Sequence, residues 1–119
     1  MRFRYQDLRV SDELLNFIEL IYSLTATFPS DERFGLTSQL RRAVNSSYLN
    51  VAEGTARKSP KDFARFITIA LGSLVEVHAA CKIAERQKFI TAEQILSVEN
   101  AIQPIWFKLH ALRESQRKP

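Results

Sequence analysis

Arg57, Lys58, Lys61 and Arg65 stand close together near the middle of the chain, with Arg41 and Arg42 about four helical turns before Arg57. Guanidinium and ammonium groups neutralise phosphates and release condensed counterions, so this spacing suits a nucleic-acid backbone. Lys58 and Lys61 are the strongest individual candidates. Arg42 and Arg57 share a helical file with Gln39, Ser46, Asn50 and Glu53, within about 80° of one another at 100° per residue. Glu53 in that file offers a competing use for the arginines, as ion pairs within or between subunits.

Asn50, Glu53 and Gly54, with Ser73 and Glu76, form a second constellation. Two carboxylates divide acid and base duties only when burial or a partner separates their pKa values, and the sequence supplies no such device. Asn50 and Glu53 therefore read as contacts that fix helix pairing or subunit register, and Gly54 and Gly72 as points of close backbone approach. His78 and Cys81 are one turn apart with Glu85 beyond, which falls short of a metal-ligand set. Neither a Gly-rich phosphate loop nor an activated Ser or Cys nucleophile is found. The expectation is a protein that is not an enzyme and uses no metal or cofactor.

Four helices must position these residues, at about 12–28, 36–57, 60–87 and 92–115. Ser11 reads as the first N-cap, followed by Asp12, Glu13 and an apolar run that Pro29 and Gly35 interrupt. Ser59-Pro60-Lys61-Asp62 supplies an N-cap, a proline at the first helical position and a carboxylate two residues later. Thr91 to Gln94 is a capping box, and Ile95, Val98, Ile102, Ile105, Leu109 and Leu112 step by three and four after it. Pro104 is expected to kink this last helix near Asn100, and the polar tail from Glu114 to fray. Leu36, Leu40, Ala43, Val44, Ser47, Val51 and Gly54 form the core face of the second helix. Short connections between long helices favour an all-α, antiparallel up-down-up-down four-helix bundle in one domain, residues 1–119.

The third helix has a bulky face, Phe63, Phe66, Ile67, Ala70, Leu74, Val77, His78, Cys81 and Ala84. Apart from it runs a slim stripe of Ala64, Thr68, Gly72, Val75 and Ala79, flanked by Ile69, Glu76 and Ile83. Lys and Glu would be usual on a solvent face, so the stripe predicts a neighbouring copy. The first helix, apolar on nearly all sides, predicts the same. With 17 Lys and Arg against 13 Asp and Glu the chain carries +4, a mild bias toward acidic partners. No run approaches the roughly 18 apolar residues of a membrane span, no signal peptide is evident, and the single Cys81 fits a reducing compartment. A cytoplasmic location without membrane contact is expected.

The segment from Phe28 to Val77 also resembles a known family. FP-x-x-E is met by Phe28, Pro29 and Glu32, and LTSQ-x-RRA by Leu36 to Gln39 and Arg41 to Ala43. N-x-AEG-x-x-R is met by Asn50, Ala52 to Gly54 and Arg57; DF-x-RF by Asp62, Phe63, Arg65 and Phe66; and A-x-GS-x-x-E by Ala70, Gly72, Ser73 and Glu76. This resembles the four-helix-bundle family named for proteins encoded in intervening sequences of bacterial 23S ribosomal RNA genes. The chain departs from it in having Ser46-Ser47-Tyr48 where members often have Ser-Ile-Pro, and in Pro104. The resemblance implies a left-handed antiparallel bundle that assembles into a ring-like homopentamer, with no defined biochemical role. Similar bundles that serve diversity-generating retroelements contact nucleic acid and assist a reverse transcriptase, an analogy of fold only.

Two functions follow as expectations. The first is a homo-oligomer that binds RNA or DNA through a basic rim of Arg41, Arg42, Arg57, Lys58, Lys61 and Arg65, as an accessory to a nucleic-acid-processing machine. Five copies of a +4 chain carry +20 together. The other is a protein-protein interaction scaffold whose polar file and Asn50, Glu53, Gly54, Gly72, Ser73 and Glu76 are occupied by subunit contacts.

Overall fold

The structure, a computed structural model, describes residues 1–119. It contains four α-helices and no strand: α1 (Val10–Thr25), α2 (Leu36–Thr55), α3 (Pro60–Arg86) and α4 (Ala92–Arg117). Short 3-10 turns at Arg4–Asp7 and Ser30–Glu32 precede α1 and α2. α1 packs on α2, α2 on α3, α3 on α4 and α4 back on α1, so the four helices surround one core. Phe17, Leu40, Val44, Phe63, Ile67, Leu74, Val98, Ile105 and Leu109 are all within 1 % of full burial. Each such side chain contributes roughly 1.5–3 kcal/mol by leaving water.

The predicted core face of α2 is buried at every position from Leu36 to Gly54. On α3 the bulky face is buried as well, except His78, which is half-buried. α3 is the one helix long and apolar enough to cross a bilayer, and half of that apolar window is buried against its neighbours.

Helix ends differ from expectation at three places. α1 starts before Ser11, which is 5 % exposed and sits 3.3 Å from the Tyr48 hydroxyl, so its oxygen serves a contact to α2 where a cap was expected. α1 also stops at Thr25, because the chain turns there and brings Phe28 back onto Phe89, with ring centroids 5.5 Å apart. α4 runs through Pro104 and past Glu114 to Arg117; an Arg117 to Glu114 contact of 3.0 Å holds the last turn. Both Pro104 and Asn100, whose carbonyl the proline leaves without its helical donor, face solvent.

Candidate functional site

The end of the molecule where α2 passes to α3 collects cations because the connection is only four residues long. Ser59 Oγ accepts the Asp62 backbone N–H at 3.1 Å, and Pro60 opens α3, so the cap expected from sequence fixes the turn. Arg57 donates to Glu53 at 2.8 Å and lies 4.6 Å from the centroid of the Phe66 ring. Arg65 lies 4.7 Å from the same ring and reaches Asp62 at 3.4 Å. Phe66 is therefore a buried platform that holds two guanidinium groups by cation–π attraction. Lys58 and Lys61 are exposed and have no ion-pair partner.

Two further segments join this end. Arg4, from the N-terminal turn, stands 5.3 Å from the Phe63 ring centroid and lines a cavity of about 150 Å³ with Arg57 and Lys58. Arg117 borders a wider one of about 740 Å³ with Lys61 and Arg65. Sequence reading missed Arg4 and Arg117. Their charges were visible in RFR and QRK, but only tertiary packing brings the two termini to the α2–α3 turn. Exposed ion pairs such as those of Arg57, Arg65 and Arg117 are worth about 0–1 kcal/mol, so a phosphate competes for them easily.

The polar file of α2 divides in two. In its middle, Asn50 Nδ2 donates to the Ser46 carbonyl and Oγ, each at 2.9 Å. Ser73 Oγ gives its proton to the Ile69 carbonyl, so across the 2.9 Å Ser46–Ser73 contact the donor is Ser46. Asn50 holds Ser46 from within α2, and Ser46 and Ser73 thus act in pairing α2 with α3. Gly54 does too: a Cβ there would lie 2.7 Å from Phe63 and 2.9 Å from Phe66. Above this network a polar groove of about 650 Å³ opens between α2 and α3, edged by Gln39, Arg42, Asn45 and Glu76. Arg42 and Glu76 are both exposed and neither forms an ion pair. Glu53 belongs with Arg57 at the basic end.

The predicted basic rim is consequently not continuous. Arg42 lies in the groove, about four turns from Arg57. Arg41 turns toward α1, where it donates to Thr25 Oγ1 at 2.9 Å and stacks 4.5 Å from the Tyr22 ring centroid. Its guanidinium is used in helix packing. His78 pairs across to Glu99 on α4 at 2.8 Å, and Cys81 is buried with its thiol pushed up to about 11 by desolvation. A thiol of that kind is a poor nucleophile.

On the outer side of α3, Ala64 is buried, but Thr68, Gly72, Val75 and Ala79 are exposed, beside an exposed Ile69 and Ile83. A side chain placed on Gly72 would meet no atom within 4 Å, so no close approach occurs there inside a single chain. On α1, Leu15 and Tyr22 stay exposed.

Residues 6–111 match the family described as 23S rRNA-intervening sequence protein. Among solved structures, the chain resembles a protein with unknown function from the S23 ribosomal protein family of Bacteroides thetaiotaomicron VPI-5482. The two are 26% identical, the match covers 87% of this chain and 97% of that one, and the TM-score is 0.77. No curated protein matches the chain. With all but its first five and last eight residues inside the family match, the chain belongs to the 23S rRNA-intervening sequence protein family.

Proposed function

We propose that the chain is a non-enzymatic, cytoplasmic subunit that assembles with copies of itself and binds RNA or DNA phosphates through the α2–α3 end, as an accessory to a nucleic-acid-processing machine. The observation that carries this reading is the set of three cations without an ion-pair partner, Arg4 over the Phe63 ring and the exposed Lys58 and Lys61, beside the Arg57 and Arg65 pair on Phe66. In this reading the helices form an antiparallel, left-handed bundle. Short connections support it, as does the register in which Ser46 meets Ser73 while Gly54 meets Phe63. Five such bundles close into a ring through the exposed stripe around Gly72 and Val75. Each ring then repeats the basic end five times, which raises local counterion density and the rate of encounter with a polyanion.

Lys58→Glu with Lys61→Glu should weaken binding to all nucleic-acid sequences and reduce the slope of log K against log salt by roughly 0.7–0.9 for each phosphate that is no longer neutralised. Absence of any salt-dependent affinity in the unaltered protein would refute the proposal.

A second reading has its own support in the groove, where Arg42 and Glu76 lie unpaired on adjacent helices. There the chain is a scaffold whose groove receives another protein. Partners recovered from cells would then survive nuclease treatment.

A further inference from the structure

We infer that the basic end is built for single-stranded nucleic acid, with the Phe3 ring as a platform on which a base stacks. This rests on the phosphate-binding reading and names its substrate class. Phe3 is 58 % exposed, in a segment where an unpinned aromatic would be expected to fold under or wave free. It is pinned. Its backbone N–H donates to Gln6 Oε1 at 2.7 Å, and Arg2 beside it pairs with Asp7 at 2.8 Å. The ring stacks on Tyr5 with centroids 6.3 Å apart and planes 15° from parallel. Tyr5 in turn sets its ring edge-on to Tyr48 of α2 at 5.8 Å, and the Tyr48 hydroxyl contacts buried Ser11. A ladder of three aromatic rings therefore runs from the α1–α2 contact out to the surface, and its last rung is more than half open.

The position of that rung gives it a use. Arg4, the next residue, reaches into the cavity it shares with Arg57 and Lys58. Phe3 adjoins Arg4 in the chain, so a strand whose phosphates occupy Arg4 and Lys58 has an exposed aromatic ring one residue from a cation that holds it. An unpaired base can lie flat on an aromatic face, and stacking of this kind tolerates any base because every base has a π face. A paired base is already stacked within its duplex and presents only its edge and backbone, so Phe3 adds little for a double strand. Burial against a partner protein is the other ordinary use of an exposed aromatic, and it predicts no response to nucleic acid at all.

Fluorescence anisotropy at fixed salt with labelled oligothymidylate, oligouridylate and a duplex of equal length tests this on the full chain. Phe3→Ala should weaken binding to the tighter of the two single strands by about 5- to 150-fold. Its salt slope should stay unchanged, because every phosphate keeps its cation, and Phe3→Trp should restore the affinity. Duplex affinity should not move. Equal affinity for duplex and single strand with no effect of Phe3→Ala on either would overturn the inference and leave the phosphate reading standing. A wild-type chain that binds none of the three probes would overturn both. Circular dichroism of Phe3→Ala confirms an intact fold, as expected for an exposed ring.

Discussion

Cys81 lies 1 % exposed in the core, and desolvation raises its thiol from an ordinary 9.0 to about 11. Between those values the folded chain keeps a proton that the unfolded chain has released, so stability falls as pH rises through that window. Urea midpoints at pH 8 and pH 10 should show a larger drop for the native sequence than for Cys81→Ala; equal drops would mean the thiol ionises freely in the fold. Individual residues were legible in the sequence where one helix alone decided their surroundings. Gly54 is such a case, since its place on the α2 core face implied the close approach that Phe63 and Phe66 now make. Arg41 was not legible. Its neighbour Arg42 has the same chemistry, and only the packing of α1 against α2 separates a guanidinium held by Thr25 and Tyr22 from one left in the groove.

At the scale of elements, the starts of α3 and α4 were readable because Ser59 and Thr91 satisfy orphan N–H groups within their own first turns. The end of α3 carried no such sign. There Phe89 N–H bonds the Ala84 carbonyl at 2.8 Å and Lys88 N–H the Glu85 carbonyl at 3.0 Å, the pattern in which glycine normally supplies the left-handed residue. Lys88 takes that place with φ of 64°. A side chain in this region costs roughly 1–2 kcal/mol, partly offset by the greater freedom of an unfolded glycine. Lys88→Gly should therefore raise the unfolding free energy by about 0.5–1 kcal/mol in urea melts, while leaving the salt slope for nucleic acid unchanged because α3 carries Lys88 to the opposite end from Lys61. A destabilised variant would mean that the Lys88 side chain makes a contact worth more than the strain. The N-terminal turn was the element sequence reading passed over. Its aromatic and basic residues follow no helical period, and they acquire meaning only against Tyr48 and Phe63.

For the whole molecule, the sequence spoke more clearly about what one chain leaves uncovered than about what it binds. The α3 stripe was anticipated because small and apolar residues stand where a solvated helix would carry charge, and the fold leaves Ile69, Val75 and Ile83 in water. Gly72 sits among them with open space beyond it, so a large side chain there harms nothing within the chain and obstructs only a neighbour. Gly72→Leu should keep its helicity and change the size of the assembly. The basic end was half legible, through Lys58, Lys61 and the two Phe66-bound arginines, and its other half waited on the termini. Both proposals, assembly and phosphate binding, meet in the native mass of the unaltered protein across a dilution series with and without added RNA. A pentamer that binds phosphates gives a particle of five times 13.7 kDa that gains the mass of bound RNA at low salt. Single chains of 13.7 kDa at every concentration, unchanged by RNA, would contradict it.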